Sequence, residues 1–254
     1  MLYKWRSICR EINQSEPSMR IILIVSNYNE EKAIINTLND IRSNASVSCD
    51  VLVVDNCSTD ESVKLIRDAG ADYIRHPVNT GGSAGVIKTA FTYAYYHNYD
   101  IYCHMDGDNQ HMAAELQKIV NPLVLGTADV VTGSRFIARE GFQSSRSRRL
   151  GIYIFSWLLS LFTGRRYTDI TSGFRAYNRR AIEFFAKRFK QEIETVTQLE
   201  LAMHYGGLTG VEVAVTMRPR TSGKSEINMI NAIKFPVFNI ISLLGTLIQM
   251  RKLR

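Results

Sequence analysis

Ile101-Tyr-Cys-His-Met-Asp-Gly-Asp-Asn-Gln-His111 is an apolar run that ends abruptly in two carboxylates separated by a single glycine. Five residues with little polar character, too few for a helix and flanked by polar turns, predict a buried strand that delivers Asp106 to its carboxyl end. Working back towards the amino terminus, the same punctuation recurs. Ile21-Ile-Leu-Ile-Val25 stops at Ser26-Asn-Tyr-Asn-Glu30, and Val51-Leu-Val-Val54 stops at Asp55-Asn-Cys-Ser-Thr-Asp60. Between these runs lie stretches of helical period. Ile34, Ile35, Leu38 and Ile41 share one face of a helix, a second helix capped by Ser58 or Thr59 runs to Asp68, and Asn79-Thr-Gly-Gly-Ser-Ala-Gly85 opens a third that continues to Tyr96. Tyr73-Ile74 supplies a short strand between the last two. The alternation predicts an α/β protein with a mostly parallel, doubly wound sheet flanked by helices.

In such sheets ligands bind beyond the carboxyl ends of the strands. Asn27, Asp55 and Asp106 all leave strands at that edge, so three loops are expected to converge there. Asp106 and Asp108 form a pair of hard oxygen donors suited to Mg²⁺ or Mn²⁺, with coordination positions left for phosphate oxygens and water. Gln110 and His111 follow as further polar groups. His104, within the strand, reads as a core histidine with its hydrogen bonds met, and His111 as a residue open to a metal or phosphate. Downstream, Val130-Val131 before Gly133-Ser-Arg135, and Val211–Val215 before Met217-Arg-Pro-Arg220, predict further strands. The stretch between them is helical and basic, and strongly apolar from Tyr153 to Phe162. Tyr93, Tyr95, Tyr96 and Tyr99 read as helix packing and surface.

Composition bounds the rest. The chain has 254 residues, 45% hydrophobic and 22% charged, the balance of a domain with a real core. Four cysteines, Cys9, Cys49, Cys57 and Cys103, lack CxxC spacing and read as reduced thiols, which suits the cytoplasm. No apolar stretch before Ser15-Glu16-Pro17 has the length of a signal peptide. The formal charge is +7, with Arg139, Arg146, Arg148, Arg149, Arg165, Arg166, Arg175, Arg179 and Arg180 concentrated in the middle of the chain, so an anionic partner is expected. No helix-turn-helix, zinc-finger or RNP-like pattern points to nucleic acid. Phe235–Met250 is apolar but interrupted by Pro236, Asn239, Ser242 and Gly245 and followed by Arg251, Lys252 and Arg254. It is short for a spanning helix; it fits a helix packed on the domain, a homo-oligomer contact, or a segment lying on an anionic membrane surface.

Several blocks, in order, resemble the family 2 glycosyltransferases of the GT-A fold, over about Ile21 to Ile227. They are Ser26-Asn-Tyr-Asn-Glu-Glu31, Val54-Asp-Asn-Cys-Ser-Thr-Asp60, His76-Pro-Val-Asn-Thr-Gly-Gly82, Met105-Asp-Gly-Asp-Asn-Gln110 and Gly133-Ser-Arg135. Thr168-Asp-Ile-Thr-Ser-Gly-Phe-Arg175 and Met217-Arg-Pro-Arg-Thr-Ser-Gly-Lys-Ser225 are similar to acceptor-side blocks of the branch containing dolichol-phosphate mannose synthase. The resemblance implies a catalytic domain over residues 19–227, between an amino-terminal extension (1–18) and a carboxy-terminal apolar helix (228–254). It implies an inverting, metal-dependent transferase that moves a sugar from a nucleoside-diphosphate sugar (UDP, GDP or dTDP) to a lipid-linked saccharide or polyprenyl phosphate, at the cytoplasmic face of the membrane, in surface-polysaccharide or glycolipid assembly. A nucleotidyltransferase of related fold and a noncatalytic scaffold are the alternatives.

Carried over by position, Asn27, Asn29, Glu30, Asp55, Asn79, Gly82, Asp106, Gln110, Arg218, Arg220 and Lys224 would bind the donor. Asp55 would contact the base, and Asp106 and Asp108 the metal. Asp169 is the candidate general base, with an N-cap role beside Thr171 or Ser172 as the competing reading and Glu194 and Glu200 in reserve. If the acceptor is a phosphate no strong base is needed, and Arg135, Arg148 and Arg175 become candidate phosphate clamps. Asn56 stands where the family often has a second aspartate, and Ser83 where it often has a basic residue, which leaves base preference open.

Overall fold

The computed structural model describes residues 19–82, 84–142, 146–188 and 196–220. The amino-terminal extension, Ser83, Glu194, Lys224 and the carboxy-terminal apolar segment lie outside the described residues.

The apolar runs become the centre of a seven-stranded sheet. β1 (Ile21–Asn27), β2 (Asp50–Asp55), β3 (Tyr73–Arg75) and β4 (Ile101–Asp106) are joined by α1 (Ile34–Asn44), α2 (Ser62–Asp68) and α3 (Ala84–Tyr96). A single 3₁₀ turn then leads into α4 (Leu116–Val124), followed by β5 (Val130–Ser134), α5 (Arg146–Thr163), β6 (Arg175–Asn178), α6 (Arg179–Glu183), α7 (Val196–Tyr205) and β7 (Gly210–Ala214). The strand order is β3-β2-β1-β4-β6-β5-β7. β1 pairs in parallel with both β2 and β4, and β5 in parallel with β7.

Alternate side chains of β1 enter opposite layers: Ile22 and Ile24 pack with Val86, Phe91 and Tyr102 beneath α3, while Leu23 and Val25 pack with Ile34, Leu38 and Ile119 beneath α1 and α4. Burial on both faces explains why these strands read as continuous apolar runs. Each fully buried aliphatic side chain contributes roughly 1.5–3 kcal/mol of transfer free energy. The tyrosines divide as expected, with Tyr93 and Tyr95 packed on the core and Tyr96 at 75% exposure.

The strands expected at Val130-Val131 and Val211–Val215 form β5 and β7, and β6 is one that the sequence did not single out. It lies antiparallel between β4 and β5, with Arg175 opposite His104 and Thr132. The reversal has a functional consequence: the amino end of β6, not its carboxyl end, reaches the edge where the other loops converge. The preceding 168–174 segment is therefore largely buried, with Asp169, Ile170, Ser172 and Phe174 each at 3% exposure or less. A second correction concerns α2. Neither Ser58 nor Thr59 caps it; Asp60 Oδ1 accepts from Ser62 N at 3.0 Å, and Ser58 faces the cleft edge.

Candidate active site

The loops after β1, β2, β4 and β7 and the segment before β6 meet at one edge of the sheet. At its centre is Asp106. Its Oδ1 accepts from Ser26 Oγ at 3.0 Å and faces His104 Nε2 at 3.7 Å, and its Oδ2 faces His111 Nε2 at 3.8 Å. The Asp106 N–H donates to His111 Nδ1 at 3.1 Å, which fixes a neutral His111 ring with its proton on Nε2. Burial holds the His111 pKa below the usual histidine value, in keeping with that neutral form. His111 is thus a support for Asp106, stacked on Phe174 at 5.0 Å, and not an open ligand. His104 is the satisfied core histidine expected, bonded through Nδ1 to Tyr102 Oη at 2.6 Å, with its other nitrogen turned towards Asp106. Burial would raise the Asp106 pKa, but the His104 hydrogen bond, the electrostatic pull of the adjoining His111 and His104 rings and the Ser26 hydrogen bond outweigh it and leave the carboxyl well below its usual range.

Two glycines admit the carboxylates. A Cβ on Gly107 would lie 2.9 Å from Ser26 O and 3.3 Å from Ile34 Cδ1, so only glycine lets the loop lie against the end of β1. A Cβ on Gly173 would lie 2.8 Å from Asp106 Oδ2. Reading the sequence did not single out Gly173, because what it touches lies far away in the chain.

Asp108 is 7% exposed, and its Oδ1 accepts from Gln110 N at 3.0 Å. Glu30 closes the group from the β1 loop. Burial raises both acids, and nearby carboxylates add to the effect: Glu30 is pushed up to about 7, with Arg220 opposing, and Asp108 is raised next to Asp106. Arg220 bonds Glu30 through Nη2, and its Nε stands 3.8 Å from Asp108 Oδ2. Three carboxylates and one guanidinium in a partly dry recess are short of positive charge, which is the condition a divalent cation relieves. Among the described residues no three His, Cys, Asp or Glu side chains form a closed metal cage. Asp106 and Asp108 are two hard carboxylates that could hold a divalent cation only with further oxygens supplied by a ligand or water.

Other predicted residues are placed differently. Arg218 does not point at the carboxylates: its Nη2 binds Asp40 Oδ1 at 2.7 Å and its Nη1 binds Asn109 Oδ1 at 3.1 Å. Together with the His111–Met217 bridge and the 2.8 Å bond from Arg218 N to Gln110 O, it straps the segment after β7 onto the Asp-Gly-Asp loop. Gln110 belongs to this strap, its Nε2 donating to Arg218 O at 3.4 Å. Asp55 is fully buried; its Oδ1 accepts from Asn27 Nδ2 at 2.7 Å and from Ser58 Oγ at 2.5 Å, and its Oδ2 from Ser58 N at 3.0 Å. In this arrangement it braces the β1 and β2 loops instead of facing a base.

Asn27 shares that brace, and Asn29, at φ 54°, accepts from Thr59 N at 2.8 Å. The neighbouring residue that sequence reading treated as a departure is the organiser of the base-side loop. Asn56 donates to Gly82 O at 2.8 Å and Asn79 Oδ1 at 3.3 Å, and accepts from Thr80 N and Oγ1 and contacts His76 Nδ1. Asn79 and Gly82 are thereby held at the cleft rim.

Asp169 is not a free base. It is fully buried and bidentate to Arg135, with Arg135 Nε at 2.7 Å from Oδ2 and Nη2 at 2.8 Å from Oδ1. Its N–H and that of Thr168 donate to Glu212. Two of the predicted clamps do not face outward: Arg135 is engaged by Asp169 and Thr171, and Arg175 by Glu200 at 2.5 Å, both at 6% exposure or less; the side chain of the third, Arg148, lies outside what the structure describes. The N-cap alternative also fails, since 169–172 starts no helix.

The mostly parallel, mixed sheet flanked by helices, with acidic loops gathered at one edge, is of the GT-A class of fold. The model of glycosyl transferase family 2 matches residues 22–185, and the chain belongs to that family. An undecaprenyl-phosphate mannosyltransferase of Micrococcus luteus is 30% identical over 221 residues, covering 83% of this chain and 88% of the relative. A polyprenol monophosphomannose synthase of Mycolicibacterium smegmatis is 26% identical over 220 residues, covering 84% and 82%. Both lie in the dolichol-phosphate mannose synthase-like branch that the sequence blocks resemble. Among solved structures, glucosyl-3-phosphoglycerate synthase from Mycobacterium tuberculosis, in complex with Mn²⁺, UDP and glucosyl-3-phosphoglycerate, superposes with a TM-score of 0.63 at 17% identity, over 90% of this chain and 80% of that one. It shares the GT-A fold.

Proposed function

We propose that the protein transfers a sugar, with inversion, from a nucleoside-diphosphate sugar to a polyprenyl phosphate, and that a Mg²⁺ or Mn²⁺ ion held by Asp106 and Asp108 serves the donor. The observation that carries this reading is the gathering of Glu30, Asp106 and Asp108, with the Arg220 guanidinium against Glu30 and Asp108, on the ligand-binding edge of a family 2 fold. When bound, the cation would neutralise charge gathering on the departing diphosphate. The chain's own residues do the rest. Ser26, His104, His111 and Gly173 hold Asp106 in place; Asn56 shapes the 76–82 rim for the nucleoside; Arg220 stands ready to bond a diphosphate oxygen in place of Glu30.

The acceptor class is supported by what happened to the base. On the acceptor side Asp169, Glu200 and Glu212 are each bonded internally, so none is poised to deprotonate a hydroxyl. A phosphate oxygen is already anionic and needs no base. It attacks the anomeric carbon, the bond to the diphosphate breaks, and the nucleoside diphosphate leaves with the electron pair. The relatives' names, a mannosyltransferase and a mannose synthase acting on polyprenyl phosphates, favour the same class. Incubation of the purified protein with UDP-, GDP- and dTDP-sugars, Mn²⁺ and polyprenyl phosphate tests it. One donor is expected to yield glycosyl phospholipid and nucleoside diphosphate; release of pyrophosphate would point to nucleotidyl transfer instead.

A further inference from the structure

The helix α5 carries an apolar face that the fold leaves open. Ile152, Ser156, Leu159 and Thr163 are buried, with Ile152 and Leu159 packed against Phe136, Ile170 and Leu201. Tyr153 (45%), Ile154 (50%), Trp157 (62%), Leu161 (63%) and Phe162 (46%) are exposed. At about 100° per residue the buried set clusters on one side of the helix and the exposed set on the opposite side, so these large side chains point away from Phe136, Ile170 and the α7 residue Leu201 that the helix packs on.

Along the chain, the charges in and flanking this helix have one sign. From Gly141 to Thr168 there is no Asp or Glu, while Arg146, Arg148 and Arg149 open the helix in sequence and Arg165 and Arg166 follow it. An open pocket at its carboxyl end is lined by Trp157, Ser160, Arg166 and Tyr167. The face also adjoins the cleft: Phe136, next to Arg135, lies 6.0 Å from the Tyr153 ring. Among the described residues no helix is long and apolar enough to cross a membrane.

We propose that α5 docks the protein on an anionic lipid bilayer, with Tyr153, Ile154, Trp157, Leu161 and Phe162 in the head-group boundary and Arg149 and Arg166 against lipid phosphates. Aromatic residues at this depth and basic ends among anionic head groups are the pattern of an interfacial helix. Vesicle binding needs neither donor nor acceptor, so its test stands apart from the test of the transfer reaction.

The chain has two tryptophans, Trp5 and Trp157. In the full-length Trp5→Phe protein, emission reports Trp157 alone. Titration with phosphatidylglycerol vesicles is expected to shift that emission to the blue and brominated acyl chains to quench it, with roughly tenfold weaker binding to phosphatidylcholine vesicles. In the same background Leu161→Glu is expected to weaken vesicle binding about tenfold, and Arg149→Glu with Arg166→Glu to remove the preference for anionic lipid. Leu161 is mostly exposed, so the thermal midpoint should hold; if it falls, the charge-reversal pair still decides. Three results would overturn the proposal. One is vesicle capture of the chain with Trp157 emission unchanged, which assigns docking to another segment. The second is a blue shift that follows protein concentration without lipid, which assigns the face to a second copy. The third is no vesicle binding at all.

Discussion

Gly173→Ala isolates the seat of Asp106 from every direct ligand. The new methyl would lie 2.8 Å from Asp106 Oδ2 and 3.3 Å from Oδ1. Ordinary van der Waals contact requires roughly half an ångström more. The carboxylate is not free to yield, because Ser26 Oγ holds Oδ1 at 3.0 Å and the rings of His104 and His111 stand on either side. Displacement would stretch the Ser26 bond, at a cost of about 1.5 kcal/mol for a hydrogen bond to a charged group. It would also move a proposed metal ligand by a distance that typically lowers affinity or turnover about 10- to 100-fold. The assay is sugar transfer as a function of Mn²⁺ concentration, with thermal unfolding measured alongside. Half-saturation by Mn²⁺ is expected to rise and turnover to fall while the unfolding midpoint shifts by a few degrees at most. Gly151→Ala is the control, since its methyl meets nothing within 4 Å. Gly173→Ala with wild-type Mn²⁺ dependence and rate would refute the reasoning that a fixed Asp106 matters.

Other consequences can be checked on the same preparations. Glu30 titrates near 7 in the fold against 4.5 as a model carboxyl, so between those values the native state holds a proton that the unfolded chain has released. Stability in metal-free buffer should therefore fall as pH rises from about 4.5 to 7 and then level off, and Glu30→Gln should flatten that part of the profile in urea titrations. Asp169→Asn breaks a buried, bidentate pair with Arg135 and should cost roughly 3–5 kcal/mol in equilibrium unfolding. A slow but fully stable Asp169→Asn enzyme would restore it as a general base. Asn56→Asp replaces the donor to Gly82 O and Asn79 Oδ1 with a second acceptor; a loss of about 1–3 kcal/mol and weaker nucleotide binding by calorimetry are expected. Unchanged nucleotide affinity would remove Asn56 from the binding rim.

What the sequence disclosed and what it hid follow from where the determining contacts lie. β1, β2 and β4 are buried on both faces, so their own residues carry the signal, and the Asp-Gly-Asp turn stands at the end of one of them. β6 gives no such signal. Arg175-Ala-Tyr-Asn178 is buried because Glu200, on α7, neutralises Arg175, and that partnership cannot be read from a four-residue window. Asp169 looked like a solvent-facing acid for the same reason: the guanidinium that closes it off is Arg135, on the neighbouring strand's exit. The ends of the site that depend on one loop were legible; the supports contributed by distant segments, Gly173 against Asp106 and Arg218 on Asp40, were not. Asn56 stood out only as a departure from the family pattern, and its amide provides both the donor and the acceptor that the 76–82 loop uses.

The central claim is a cation-assisted sugar transfer centred on Asp106 and Asp108, and single-turnover transfer to polyprenyl phosphate by the wild type and Asp108→Ala, each with Mn²⁺ and with chelator, tests it most directly. The account predicts glycosyl phospholipid and nucleoside diphosphate only from the wild type with Mn²⁺, with a loss of about 100-fold or more in the other three reactions. Equal transfer in chelator, or by Asp108→Ala, would contradict it.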